Sequence, residues 1–70
     1  MKFDMSIDDN FASFKDDDDV MVFVDSFDNK SFDVRIGTID SSEPVGTIIA
    51  SSESELNKEI EKLYLRYKGQ

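Results

Sequence analysis

Hydrophobic and polar positions alternate most clearly between residues 20 and 39, and this pattern predicts a β-hairpin. Residues 20 to 24, VMVFV, form an unbroken apolar run, and in residues 32 to 36, FDVRI, apolar side chains alternate with charged ones. Between the two runs lie residues 28 to 30, DNK, whose Asp and Asn tolerate the backbone angles of a tight turn. The two runs are therefore expected to pair as antiparallel strands.

The length of the turn decides which side chains share a face, because a slip of one residue turns every side chain over. A three-residue loop places Val24 opposite Val34 on one aliphatic face. A two-residue loop would instead place Asp25 among those apolar side chains, which is costly for an unpaired carboxylate. We therefore predict the three-residue loop, with Met21 and Phe23 on a second face that another segment or a partner partly covers.

The residues before the hairpin allow two interpretations. Residues 2 to 7, KFDMSI, alternate as in a short strand, but apolar residues at 7, 11 and 14 fall at helical spacing behind a Ser-x-x-Asp capping pair. We predict a short helix over residues 7 to 15. The four aspartates at 16 to 19 would end it, because Asp is a poor helix former and carboxylates oppose the negative end of the helix dipole.

The residues after the hairpin predict a loop, a third strand and a second helix. Residues 40 to 44 form the loop, since Pro44 is confined to the start or the edge of a strand, and residues 45 to 50, VGTIIA, form the strand. Ser52 and Glu55 make a capping box that opens the helix. The apolar stripe of this helix comprises Leu56, Ile60, Leu63, Tyr64 and Tyr67.

These elements predict an α+β fold with the order αβββα, in a single domain over residues 1 to 70. A three-stranded antiparallel sheet, the hairpin plus a third strand, would carry the short N-terminal helix and the C-terminal amphipathic helix on one face. Leu, Ile, Val and Phe make up 20 of 70 residues, enough apolar surface for the chain to fold despite its charge. The predicted core comprises Val22, Val24, Val34, Ile36, Ile49, Leu56, Ile60 and Leu63.

The composition lacks the commonest catalytic and metal-binding groups. The chain has no His and no Cys, so the usual general base, the strongest nucleophile and the main transition-metal ligands are missing. The glycines are isolated, which excludes a phosphate-binding loop, and an EF-hand loop starting at Asp16 fails at three positions. We predict a protein that is not an enzyme and has neither cofactor nor dedicated metal site.

Hydropathy and cysteine content predict where the protein resides. No apolar run approaches the roughly 18 residues of a membrane span, and the first residues do not resemble a signal peptide. The absence of Cys suits a reducing compartment. We therefore expect a cytoplasmic protein without membrane contact, in the host cytoplasm if a phage encodes it.

Negative charge is concentrated in the first part of the chain. Residues 1 to 28 contain nine acids and two bases, for a net charge of -7, whereas residues 29 to 70 have a net charge of -1. Direct binding to nucleic acid is disfavoured, because it requires basic surface. DNA carries a negative charge about every 1.7 Å of its axis, so closely spaced carboxylates on a rigid fold can occupy a protein groove built for phosphates.

We therefore predict a small acidic protein that inhibits a basic nucleic-acid-binding protein by occupying its groove as a DNA mimic. Phage anti-defence proteins, such as inhibitors of restriction and CRISPR enzymes, act in this way. The four consecutive aspartates are expected to be exposed. The seven excess negative charges of residues 1 to 28 are expected to raise carboxylate pKa values and to make the protein more stable at moderate salt or mildly acidic pH. The predicted partner-binding residues are Asp8, Asp9, Asp16, Asp17, Asp18, Asp19, Asp25 and Asp28.

The alternative function is a structural or regulatory interaction protein, either a small subunit or a homodimer. It would use an exposed strand edge or the face that carries Met21 and Phe23. The aspartate run would then be only a solvated end of the first helix. Tyr64 and Tyr67 are expected to belong to the core in either case, with their hydroxyls at its rim.

Overall fold

Four antiparallel strands and one helix make up the fold in the computed structural model, which describes residues 2 to 69. The sheet follows the order of the sequence, β1-β2-β3-β4, and α1 packs on one of its faces. The α+β class, the antiparallel sheet and the C-terminal helix are confirmed, but the sheet has four strands where three were predicted. The elements are β1 (Phe11–Lys15), β2 (Met21–Ser26), β3 (Ser31–Gly37), β4 (Ser42–Ile49) and α1 (Glu53–Lys68).

The central hairpin of β2 and β3 has the predicted register. Val24 pairs with Val34, and all the side chains that were expected on the aliphatic face are buried. In the turn, the Asp28 carboxylate accepts the backbone N–H groups of Lys30 and Ser31, each at 2.9 Å. Asn29 takes a positive φ of 59°, a conformation that Asn tolerates better than most residues.

The predicted helix over residues 7 to 15 is wrong, because Phe11–Lys15 forms β1 and pairs with β2. Ala12 and Phe14 turn toward the core, whereas Phe11 is 56% exposed. The helical spacing of three apolar residues was therefore coincidental. Pairing with β1 gives backbone hydrogen-bond partners to one side of β2, which would otherwise be an apolar sheet edge.

The segment before β1 is extended and closes one side of the core. Phe3 and Met5 are 8% and 2% exposed, so the alternation of this segment did indicate which side chains turn inward. Asn57 of α1 holds the segment in place: its amide accepts the Met5 N–H and donates to the Met5 carbonyl, both at 2.9 Å. The Ser-x-x-Asp pair closes a turn, in which the Asp9 N–H donates to the Ser6 carbonyl at 3.0 Å.

Strand β4 begins earlier than predicted and presents a different isoleucine to the core. It includes Pro44, which is compatible with its position at the edge of the sheet. A bulge opposite Val34 and Arg35 adds one residue to β4, and the register beyond it pairs Ile48 with the buried Phe32. Ile48 is consequently buried, and the prediction that Ile49 belongs to the core is wrong, since Ile49 is 74% exposed.

The helix follows its predicted cap and stripe. The Ser52 hydroxyl accepts the Glu55 N–H at 3.2 Å, and the Glu55 carboxylate accepts the Ser51 N–H at 3.0 Å. Leu56 and Ile60 are fully buried, while the remaining stripe residues pack against the core from its rim. The buried core comprises Phe3, Met5, Val22, Val24, Phe32, Val34, Ile36, Ile48, Ala50, Leu56 and Ile60.

A Gly37→Ala variant is expected to lose about 1 to 3 kcal/mol of unfolding free energy. A Cβ at Gly37 would overlap the Ser41 carbonyl oxygen in the turn between β3 and β4, so the turn would have to move. Gly46→Ala is the matched control, because its Cβ would meet only the Leu63 side chain, at 3.4 Å. Urea unfolding of both variants measures the difference, and equal midpoints would contradict the expected strain.

Candidate functional site

The predicted partner-binding carboxylates lie at opposite ends of the sheet and do not form one patch. One group occupies the turn between β1 and β2, and the other lies near the turn between β2 and β3. Asp25 pairs with Phe11, five residues before Asp16, so the two groups lie roughly 17 Å apart along β1, at about 3.3 Å per residue. The first group is Asp16, Asp17, Asp18 and Asp19; the second is Asp8, Asp9, Asp25 and Asp28.

Asn29 brings the N-terminal acids to the second group. Its side-chain amide donates to the backbone carbonyls of Ile7, at 3.2 Å, and of Asp9, at 3.1 Å. Asp8 and Asp9 are exposed beside this contact, and Asp28 is exposed in the adjoining turn. Asp25 lies on the face of the sheet that α1 does not cover, with its side chain 47% exposed.

The four consecutive aspartates form a hairpin turn and do not end a helix. One oxygen of Asp16 accepts the backbone N–H groups of Asp18, at 2.9 Å, and of Val20, at 3.0 Å. Asp19 takes a positive φ of 63°, which reverses the chain into β2. Aspartate favours such turns because its short carboxylate can accept hydrogen bonds from nearby backbone groups.

The second oxygen of Asp16 connects this turn to the end of α1. It accepts the Tyr64 hydroxyl at 2.5 Å and the Lys68 ammonium at 3.1 Å, and Lys68 also reaches Asp18 at 2.6 Å. The Asp16 side chain is only 7% exposed, so the expectation that all four aspartates are exposed is wrong for this residue. Tyr64 lies at the rim of the core, as predicted. We refer to Asp16, Tyr64 and Lys68 as the latch.

The hydrogen bonds of the latch shift the pKa values of its members. The Tyr64 hydroxyl, followed by the Val20 N–H and Lys68, holds the pKa of Asp16 far below its usual range, although desolvation opposes the shift. The same contact with Asp16 raises the pKa of Tyr64, and Asp18 with Asp16 raises the pKa of Lys68.

Backbone groups also act on the second group of acids, where the N–H groups of Ser31 and Lys30 lower the pKa of Asp28. The expectation that crowding raises carboxylate pKa values is therefore wrong for Asp16 and Asp28. For these two residues, local hydrogen bonds that favour the charged form outweigh repulsion between neighbouring carboxylates.

The excess negative charge belongs entirely to the sheet and its loops. Within Glu53–Lys68, four acids are balanced by four bases. The rest of the chain contains twelve acids and four bases, which accounts for the whole net charge of -8. The molecule therefore has a neutral helix on one side of the sheet and an acidic remainder.

The second face of the sheet is open, since α1 and the N-terminal segment pack on the other face. Met21 and Phe23 are half-buried on it, and the Arg35 guanidinium lies 5.5 Å from the centre of the Phe23 ring. Phe11 and Ile49 are more exposed. The Arg35 side chain thus covers part of Phe23 from within the same sheet, and cover by another segment or by a partner stays a prediction.

Residues 2 to 69 contain neither a group of side chains suited to a metal ion nor a membrane-spanning helix. This part of the chain contains no group of three or more acidic side chains arranged to hold a metal ion. It also contains no helix that is long and apolar enough to cross a membrane. Comparisons of the chain with protein-family models, curated proteins and solved structures found no match. Function therefore has to be argued from the surface itself.

Proposed function

We propose that this protein is a non-enzymatic inhibitor that binds a basic nucleic-acid-binding protein and occupies its groove as a DNA mimic. The observation that carries the proposal is the division of charge between a neutral helix and a sheet region with a net charge of -8. Solubility does not require such an uneven distribution of charge. A partner with a basic groove would gain favourable contacts, and long-range attraction would steer the two proteins together.

The rigidity of the acidic turns supports this proposal. The latch holds the first turn against α1, and the Asp28 carboxylate closes the second turn. Carboxylates fixed before binding lose less conformational entropy when a partner orders them.

The test begins with recovery of the partner from a lysate at low and high salt, followed by titration of the purified partner in the presence of nucleic acid. Binding driven by charge should weaken steeply with ionic strength, and nucleic acid should compete with the protein. A ternary complex, in which the partner binds this protein and nucleic acid at the same time, would overturn the proposal.

A triple variant, Asp17→Asn with Asp18→Asn and Asp19→Asn, is expected to bind the partner at least about tenfold more weakly, or 1.4 kcal/mol. Asp16 is kept, because its side chain supports the turn. The matched control removes three charges from α1 as Glu53→Gln, Glu59→Gln and Glu61→Gln and should bind nearly as well as the parent. Equal losses in both variants would show that only total charge matters.

A second candidate function, that of a small subunit or homodimer, has support from the open face of the sheet. Phe11 and Ile49 are 56% and 74% exposed there, beside the half-buried Met21 and Phe23. Exposed apolar groups of this kind are typical of interaction surfaces. Sedimentation over a range of protein and salt concentrations separates the candidates, because an apolar interface persists at high salt and a charge-driven one does not.

A further inference from the structure

One end of the open face collects most of the exposed large apolar side chains of the described residues. Phe11, Phe27 and Ile49 are 56%, 101% and 74% exposed, and all three lie toward the turn between β2 and β3. Only Ile39 and Leu65 are comparably exposed elsewhere in residues 2 to 69. Large apolar side chains grouped in this way favour contact with a partner over contact with water.

A pair of carboxylates lies among these apolar side chains. Asp25 and Asp33 are directly opposite each other in the β2–β3 ladder, an arrangement that destabilises a sheet when the charges are alike. Arg35 approaches only Asp25, at 3.8 Å, and Asp33 accepts the Thr47 hydroxyl at 2.8 Å. Together with Phe27, the two carboxylates line a shallow depression of about 320 Å³.

We propose that this end of the open face is the docking site for an arginine side chain of the basic protein partner. The inference rests on the proposed function and specifies where and by what chemistry the partner is held. The planar guanidinium would lie between Asp25 and Asp33, where its several N–H donors reach both carboxylates. Phe27 would stack against the guanidinium, and Phe11 and Ile49 would contact apolar groups beside it.

The negative charge of the depression favours an arginine side chain as its occupant. The depression offers two carboxylates and no lysine or arginine in its lining, within a sheet region whose net charge is -8. A phosphate or a nucleic acid would be repelled. A second copy of the chain would bring the same excess of negative charge to the contact. An arginine gains more here than a lysine, because a lysine ammonium is more strongly hydrated and stacks less well on an aromatic ring.

The experiment is a titration of the isotopically labelled protein, followed by backbone amide NMR, with two synthetic peptides. One peptide repeats Arg-Leu-Ser, and the other has Lys in place of every Arg. The arginine peptide should shift the amides of Asp25, Phe27 and Asp33 most strongly and bind at least about tenfold more tightly than the lysine peptide. Equal affinities, or shifts centred on residues 17 to 19, would overturn the inference.

Variants localise the effect. Asp33→Asn keeps an acceptor for Thr47, and Phe27→Ala removes a fully exposed ring, so both should fold; each should weaken the arginine peptide several-fold. The matched controls are Asp40→Asn, which removes an exposed carboxylate in the turn between β3 and β4, and Ile39→Ala, another exposed apolar residue, and both should bind as the parent does. Equal weakening by Asp33→Asn and Asp40→Asn would leave only unspecific charge attraction and would overturn the site.

Two further outcomes separate this inference from the function on which it rests. If a recovered partner competes with nucleic acid but binds Asp33→Asn and Phe27→Ala unchanged, the proposed function stands and this site is wrong. If the arginine peptide binds here but the partner binds this protein and nucleic acid at the same time, the docking site stands and the DNA mimicry is wrong. Shifts of the same amides on raising the concentration of the protein alone would identify a second copy as the occupant and overturn the inference.

Discussion

An Ile60→Ala variant is expected to be largely unfolded or close to its unfolding midpoint at room temperature. Ile60 is fully buried between α1 and the sheet, and removing such a side chain costs about 2 to 5 kcal/mol. Domains below about 70 to 80 residues rarely have more than about 3 to 5 kcal/mol of stability from a single core. The loss therefore approaches the entire stability of a 70-residue chain.

Leu65→Ala is the matched control for this prediction, since Leu65 lies on the same helix but is 57% exposed. It should change the unfolding free energy only slightly, because little apolar surface is lost and Ala favours helix. Circular dichroism with urea as denaturant measures both variants. If Ile60→Ala unfolds at the same urea concentration as Leu65→Ala, α1 does not supply the packing that the structure assigns to it.

The elements predicted correctly are those in which local signals agree. The β2–β3 register followed from burial, because only one loop length kept Asp25 away from the side chains that surround Val34. The helix followed from a predicted capping box that coincided with an apolar stripe. The Ser52 hydroxyl does accept the Glu55 N–H, while the Glu55 carboxylate accepts the N–H of Ser51. In both segments, hydrophobic period, turn or cap chemistry and length indicate the same structure.

Two of the errors in the fold arose where long-range pairing decides between local alternatives. Phe11 and Phe14 fit a helix by spacing, yet pairing with β2 turns them to opposite sides of the sheet. Ile48 and Ile49 are adjacent and equally apolar, and only the bulge opposite Val34 determines which one is buried. Neither the pairing of β1 with the edge of β2 nor the bulge in β4 can be recognised from the few residues around it in the sequence.

The candidate site was predicted in composition but not in arrangement. The sequence identified the acids, yet four identical residues in a row do not indicate that Asp16 alone turns inward. A signal was available in the last turns of α1, where Tyr64 and Lys68 are four residues apart and share one helix face. Asp33 was not among the predicted site residues, because its role depends on facing Asp25 across the ladder.

The second large effect is expected from the latch. An Asp16→Asn variant should melt several degrees below the parent at neutral pH, because it loses the acceptor that Tyr64 and Lys68 share. The substitution is selective: an Asn side chain keeps one oxygen for the N–H groups of Asp18 and Val20, so the turn itself should persist. What is lost is the connection between the turn and the end of α1.

The dependence on pH distinguishes the latch from an ordinary surface contact. The folded state lowers the pKa of Asp16 below its ordinary value of 3.8, so this contribution to stability is present above that value and is lost as the pH falls through the folded pKa. Tyr64 and Lys68 have pKa values raised above 10.0 and 10.5, so their contributions are present below those values and are lost as the pH rises further. Melting temperatures of the parent should therefore fall on the acidic side below about pH 4 and on the alkaline side above about pH 10.

A double-mutant cycle completes the test of the latch. Asp16→Asn and Tyr64→Phe should each lower the melting temperature at pH 7, and the double variant should lose less than the sum, because both changes break the same hydrogen bond. Asp17→Asn is the matched control, since Asp17 is exposed in the same turn. Asp16→Asn should also lose less stability than the parent as the pH falls. The loss that remains comes from Asp28, whose pKa is lowered by the backbone N–H groups of Ser31 and Lys30. If the decreases in melting temperature add up, and if Asp16→Asn loses stability toward acidic pH as steeply as the parent, Asp16 and Tyr64 do not depend on each other in solution.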